Sequence, residues 1–320
     1  MRFLKSLIAA SLALAPAWAS AQGFPNRTVK MVVSFPPGAG TDVVARLVGR
    51  ELQEVFGQPV VVENRPGAAG NIAAEIVAKA PPDGYTLLIN NSTFAANVAL
   101  FTNLRFDPVK DFEPVTLLGS APMLVAVSGG SGIDSLAALV AAVKANPGRM
   151  SWASCGNGGP PHIIGEEFMR RNGLKLTHIP YKGCAPANAD VASGQVPIAM
   201  TSYAGTQAFI ASGRMKPLAV ALPRRSTLAP EIPTVAELGF GDIEADLWYG
   251  LVAPAGTPRE AIVRLNKEIV QILNRADIKE KLKGMTVEVR PSTPEEFGAY
   301  MLKEIDRYGK LVREFGLKVD

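Results

Sequence analysis

Two stretches of this 320-residue chain combine glycines, hydroxyls and a helix start in the way that suits a bound anion. The first is Pro37-Gly38-Ala39-Gly40-Thr41-Asp42, just after an apolar run that ends at Phe35. The second is Ser154-Cys155-Gly156-Asn157-Gly158-Gly159, followed by Pro160, Pro161 and His162. Glycine lets backbone N–H groups turn outward with no Cβ in the way. The first N–H groups of a helix lack internal partners and carry about half a positive charge. Each stretch is therefore a candidate anion seat, and one in each half suggests two jaws around one ligand. Read singly, either is an ordinary strand-to-helix turn. Together they carry more weight, because each follows a strand at the end where α/β sheets bind ligands. Neither is a nucleotide fingerprint. G-x-G-x-x-G counted from Gly38 meets Val43, and counted from Gly156 it meets Pro161. No G-x-x-x-x-G-K-[ST] occurs either.

Other chemistry-bearing residues are few. Cys155 with His162, or with His178 as the base, has the composition of a thiol nucleophile, but no local signature of a cysteine hydrolase surrounds it. Cys155 and Cys184 read equally as one disulfide or as two unlinked, partly buried thiols. Two histidines 16 positions apart, with no H-E-x-x-H, do not make a zinc site. No metal and no cofactor is expected. Asp246 either points to solvent or faces a cleft, where it would pair with a ligand ammonium. Trp248 reads as core or hinge packing. Lys182, beside a glycine turn, reads as exposed, with a direct ligand contact as the alternative.

These residues need elements to position them. Val29–Val33 is a β-branched run and predicts a strand. Residues 42–56 carry Val44, Leu47, Val48 and Leu52 at helical spacing, with Gly57 as the stop. Strands at 59–63 and 85–89 follow, with a helix over 71–79 between them. The pattern restarts with a strand at 123–127, a helix at 135–145 and a strand at 150–154. It continues with a helix at 162–171, a strand at 176–180, a helix at 186–193 and strands at 196–200 and 218–221. Strand–helix–strand repetition predicts a largely parallel sheet with helices on its faces. Thr257-Pro258-Arg259-Glu260 and Thr293-Pro294-Glu295-Glu296 both read as capping boxes. The stripe Ile262, Leu265, Ile269 and Ile272 needs a partner surface.

Composition bounds the remaining possibilities. Hydrophobic residues make up 48% and charged residues 19%, which excludes a disordered chain. The net charge of +4 is spread over 33 basic and 29 acidic residues, too thin an excess for a nucleic-acid binder. Arg2 and Lys5, an apolar stretch over 7–17 and Ala19-Ser20-Ala21 have the layout of a secretory signal peptide cleaved after Ala21. The apolar run is shorter than the ~20 residues of a membrane span. The rest of the chain then carries +2 and enters an oxidising compartment.

Taken together, the motifs resemble the Bug receptors, the periplasmic solute-binding proteins of tripartite tricarboxylate transporters. The resemblance runs from Pro37-Gly38-Ala39-Gly40-Thr41-Asp42 through Glu63-Asn64-Arg65-Pro66-Gly67 and Pro82-Asp83-Gly84-Tyr85 to Pro180-Tyr181-Lys182-Gly183 and Ala253-Pro254-Ala255-Gly256-Thr257-Pro258. It covers essentially all of 22–320. It implies an α/β, two-lobed periplasmic binding protein of the Venus-flytrap, type II-like form, with a ligand cleft between the lobes. Residues 22–123 plus 249–320 would form one lobe and 124–248 the other. It also implies a small carboxylate ligand held by backbone amides and ordered waters, often without a direct salt bridge. The ligand set on this resemblance is the first loop, the second loop with His162, and Tyr181, Lys182 and Gly183, completed by Ser92, Ser202 and Asp246. Gly159 stands where such receptors usually have serine or threonine, and Asp246 where they have a small polar residue. The function implied is a monomeric receptor for a di- or tricarboxylate, acidic amino acid or aromatic acid, which it delivers to a tripartite-type permease. The alternatives are a sensor that presents its closed form to a membrane signalling protein, or an exported Cys/His hydrolase.

Overall fold

The computed structural model describes residues 23–317, so the signal peptide and cleavage site expected from sequence lie outside the described residues. The first half of the chain forms β1 (Val29–Val33), α1 (Gly40–Phe56), β2 (Val60–Asn64), α2 (Asn71–Ala78), β3 (Thr86–Asn91), α3 (Thr93–Leu100) and the long β4 (Phe112–Ser128). Then come α4 (Leu136–Ala145), β5 (Ser151–Ser154), α5 (Pro160–Arg171), β6 (Thr177–Pro180), α6 (Cys184–Ala192), β7 (Ile198–Ser202), α7 (Gln207–Ala211) and β8 (Met215–Val220). The chain ends with β9 (Asp246–Pro254), α8 (Arg259–Asn274), α9 (Ala276–Gly284), β10 (Glu288–Val289) and α10 (Pro294–Phe315).

The strands order as β2-β1-β3-β9-β4-β7-β5-β6, with β8 and β10 also pairing to β4. On one side, β1 pairs in parallel with β2 and β3, and β9 runs antiparallel between β3 and β4. On the other, β5 pairs in parallel with β6 and β7, and β7 and β8 run antiparallel to β4. The strand at 123–127, read from sequence as the start of a second unit, is in fact the second half of β4. Its first half was hidden by Pro114, Gly119 and Pro122. Register shifts at Pro114/Thr116 and Leu117/Gly119 absorb the irregularity, as bulges do where a proline or glycine interrupts a ladder. The change of partner comes at Pro122/Met123: Pro122 still pairs with β9, whereas Met123 pairs with Ser202 of β7.

The helices close on the sheet as their spacing predicts. Val44, Leu47, Val48 and Leu52 of α1 are buried, and Gly57 ends the helix in the left-handed region at φ 63°. Ile262, Leu265, Ile269 and Ile272 of α8 are covered in the same cluster. Thr293 makes the expected capping box with Glu296. The second expected box fails: the Thr257 hydroxyl donates to the Pro254 carbonyl at 2.7 Å, and α8 is capped by Pro258 with no side-chain bond. Three helices also start earlier than read, α1 at Gly40, α5 at Pro160 and α6 at Cys184.

One hydrophobic cluster runs through both sides of the sheet, holding Trp152 and Phe168 with Trp248, Phe297 and Tyr308. Behind it, α10 reaches across to α5. The Arg307 guanidinium lies 3.4 Å from Glu167 of α5 and 3.5 Å from Glu304 on its own helix. Arg170 of α5 donates to the Phe315 carbonyl at 3.0 Å and lies over the Phe315 ring. Both glutamates are buried, so removing Arg307 leaves Glu304 without its ion-pair partner and Glu167 with Arg171 alone, at 2.8 Å. Arg307→Ala is expected to cost roughly 3 kcal/mol in urea denaturation, the lower end for breaking a buried pair. A loss below ~1 kcal/mol, the level of a surface pair, would contradict this assignment.

Candidate functional site

The turn between β1 and α1 is folded by Asp42. Its carboxylate accepts from the Gly38 amide at 2.9 Å, from Arg46 at 3.1 Å and from Asn64 Nδ2 at 2.8 Å. Burial alone would raise its pKa, but the hydrogen bonds from Arg46, Gly38 and Asn64 outweigh burial and hold it below the usual carboxylate range. Asp42 is thus a turn-former with its charge matched, and it does not line the cavity described below. Gly40 must be glycine for packing reasons: a Cβ there would lie 2.6 Å from the Tyr249 hydroxyl. Thr41 Oγ1 accepts from Asn91 Nδ2 at 3.1 Å, which leaves its own hydrogen for another acceptor.

The second turn, between β5 and α5, rests on a stack of rings. His162 and His178 lie face to face, with centroids 4.0 Å apart, and Trp152 lies 4.4 Å from His178. The Gly158 amide donates to His162 Nδ1 at 3.0 Å, so that nitrogen carries no proton. Ser154 Oγ lies 2.7 Å from His178 Nε2 and donates to the Gly156 carbonyl. Burial, then the neighbouring His162, pushes His178 down to about 4. Burial likewise lowers His162. Both rings are therefore neutral props beneath the turn.

Cys155 and Cys184 are joined by a disulfide. It ties the second turn to the start of α6, alongside the bond from the Gly183 amide to the Cys155 carbonyl at 3.1 Å. A disulfide sulfur has no thiolate to attack with, which removes Cys155 as a nucleophile. Tyr181 turns away and donates to Asp190 at 2.6 Å; burial, then Asp190, pushes its pKa up to about 12.

These turns face a cavity of about 590 Å3, within the usual range for small-molecule sites. Gly38, Ala39, Gly40 and Thr41 line it from one side, and Gly156, Asn157, Gly158 and Gly159 from the other. Gly183 and Ser202 also line it. Eight residues of the sequence-derived set do not. Pro37 and Lys182 are exposed. Ser92, Ser154, His162 and Asp42 are buried behind the walls, and Tyr181 is held by Asp190. Asp246 is buried too, accepting from Arg290 at 2.6 Å and from Tyr300 at 2.8 Å. It therefore faces neither solvent nor ligand. Among the described residues, no acidic or basic side chain lines the cavity.

Sequence reasoning missed several lining groups. Asn91 sits at the carboxyl end of β3, where the rule for α/β sheets would have placed a ligand contact. Ala69 lies in a short turn where it and Ala68 hold φ of 53° and 46°, a strained conformation for alanine. The α6 N-terminus also lines the cavity; the helix begins at Cys184, two residues before the Pro186 that marks a helix start in sequence. Leu100, Phe101, Met123, Leu247 and Tyr249 complete the wall, and nothing in their local sequence separates them from core residues.

Two α/β halves that share a strand, with glycine turns from both facing one cavity, define a two-lobed periplasmic binding protein of the Venus-flytrap type. The comparisons with known proteins agree. The chain belongs to the tripartite tricarboxylate transporter family of receptors, whose model (TctC) matches residues 44–317. It is similar to protein BugT of Bordetella pertussis, 37% identical over 302 residues that cover 94% of this chain and 93% of BugT. It is similar in structure to an R. palustris protein solved with adipate, with a TM-score of 0.83 and 32% identity over 92% of this chain and all of that one. The periplasmic binding protein BugD matches with a TM-score of 0.79 and 33% identity, over 92% of this chain and all of BugD.

The neutral histidines set a pH dependence. Unfolded histidine takes up a proton near pH 6.5, whereas His178 resists protonation until about 4. The unfolded state therefore binds more protons as pH falls through that window, and stability declines there. The melting temperature should hold steady above pH 7 and fall by several degrees towards pH 4.5. His178→Gln should flatten that fall; an unchanged slope would contradict it. Reduction of the disulfide, which closes a separation of 29 residues, should cost about 3 kcal/mol. The checking measurement is urea denaturation with and without reductant.

Proposed function

We propose that the protein is a periplasmic receptor that binds a small organic carboxylate in the cavity, closes on it and delivers it to a tripartite-type permease. The observation that carries this reading is the cavity itself: glycine turns and helix starts from both halves converge on it, and among the described residues no charged side chain lines it. Such a site suits an anion, because oriented amides supply positive potential without a counter-charge to desolvate. The solved relative with adipate is a carboxylate complex. On this reading, cleavage follows Ala21 and the mature receptor acts as a monomer without catalytic turnover.

The lobes would be 22–123 plus 249–320 and 124–248, hinged where β4 changes partners at Pro122/Met123 and where β9 begins. Closure is then a population shift, in which a ligand touching both lobes favours the closed state. Each helix start contributes about 0.3–1 kcal/mol when exposed and up to ~2 when partly buried, so affinity must be the sum of several donors. Within this arrangement the Thr41 hydroxyl is a donor to the ligand carboxylate.

Calorimetry across a panel of mono-, di- and tricarboxylates, acidic amino acids and aromatic acids tests this reading. At least one acid should bind. Thr41→Val should weaken that acid about tenfold, the worth of one hydrogen bond to a charged group. Silence across the whole panel, or a preference for sugars or amines, would overturn it. Transport is separated from signalling by uptake of the labelled acid in cells with and without the receptor.

A further inference from the structure

We propose that the acid selected by this cavity carries a single carboxylate on a bulky apolar body, an arylcarboxylate or a medium-chain or branched aliphatic acid, and that acids with a second charge are disfavoured. This rests on the carboxylate reading above and narrows it.

The argument begins with the supply of donors. A second buried carboxylate needs hydrogen bonds of its own, because an unpaired charge is expensive to desolvate. The α1 turn can serve one carboxylate with its first amides and the Thr41 hydroxyl. The α5 turn is far poorer than a helix start usually is. Pro160 and Pro161 open the helix and have no N–H to offer. The Gly158 amide is spent on His162, and the Gly183 amide on the Cys155 carbonyl. The cap residue, Gly159, has no hydroxyl and makes no side-chain bond.

Carbon and sulfur take the place of those donors. The Cys155–Cys184 disulfide and the two prolines line the cavity on the α5 side. Leu100 and Phe101, at the end of α3, line it as well, and Met123 and Leu247 do so where β4 and β9 meet. The charges that sequence placed nearby are absent from the wall: Asp246 is held by Arg290 and Tyr300, and Asp42 by Arg46. Ser202, Thr93 and Asn157 remain as neutral groups on the lining, with Asn91 and Asn97, whose Nδ2 atoms already donate to Thr41 and to the Ala69 carbonyl. They suit a hydroxyl or keto substituent and supply no charge. The volume of about 590 Å3 leaves room beyond the carboxylate. Each methylene buried there multiplies affinity roughly fourfold.

The test is isothermal calorimetry on the purified, disulfide-intact protein with benzoate, phenylacetate, hexanoate, adipate, malate, citrate and glutamate. Benzoate, phenylacetate or hexanoate should bind at least about tenfold more tightly than malate, citrate or glutamate. Two variants sharpen the result. Phe101 is half-buried at the cavity edge, so Phe101→Lys tolerates its charge; it should weaken benzoate and strengthen adipate. Gly159→Ser fits without strain, since the backbone is extended and a Cβ meets nothing closer than 3.7 Å. It should restore a hydroxyl donor and narrow the gap for malate. If adipate, malate, citrate or glutamate matches the apolar acids in the wild type, the proposal falls and the carboxylate reading stands. If Phe101→Lys leaves the order of affinities unchanged, the proposal falls likewise. If no acid binds, both fall.

Discussion

β4 runs for seventeen residues and pairs with four other strands, and the placement of the site follows from that. Up to Pro122 the strand is paired with β9 and β10. From Met123 onward it is paired with β7 and β8. The strands that carry the two glycine turns, β1 and β5, are fixed to opposite ends of this spine through β3–β9 and through β7. Their following helices therefore start on opposite sides of one cavity. A break in β4 would leave each turn intact and loosen the relation between them. On the rear face, α10 makes a second connection through Arg307 and Glu167, so the two halves share a core as well as a strand.

The electrostatics of the site follow from matching every nearby charge elsewhere. Asp42 would repel an anion if it were free, but Arg46, Asn64 and the Gly38 amide hold it inside its own turn. Asp246 is compensated by Arg290 in the same way. The histidines beneath the second turn are kept neutral by burial. What remains facing the cavity is backbone, hydroxyl, amide, hydrocarbon and sulfur. Neutral donors of this kind bind an anion without first having to strip water from a cation, at the cost of needing several of them in register. The strained alanines at 68 and 69, held by the bond from Asn97 to the Ala69 carbonyl, show backbone geometry being spent on the shape of the wall.

Much of this was legible from local sequence. Val29–Val33, the α1 stripe, Gly57 and the Thr293 cap each announce themselves through periodicity or side-chain chemistry, and the fold resemblance followed from ordered motifs. What escaped was set by tertiary pairing. The first half of β4 contains Pro114, Gly119 and Pro122, which argue against a strand unless its partner's bulges are known. Thr257 has the sequence of a cap but bonds back to Pro254. The second turn promised free amides, yet two prolines and the His162 ring remove most of them. Cys155 and Cys184 could be read as bonded or as free thiols, and the disulfide is decided only where β5 and β6 bring their loops side by side. Asp246 could be read towards solvent or cleft, and only the arrival of Arg290 and Tyr300 from elsewhere in the chain decides that it faces neither.

The central claim is that an organic anion is held here by neutral donors at the helix starts and by no side-chain cation. A crystal structure of the receptor with the acid that copurifies with it tests this most directly. The account predicts carboxylate oxygens within hydrogen-bond distance of the Gly40 and Thr41 amides and the Thr41 hydroxyl, with no lysine or arginine nitrogen beside them. A carboxylate paired to a basic side chain such as Lys182, or an acid seated outside the cavity between the two glycine turns, would contradict it.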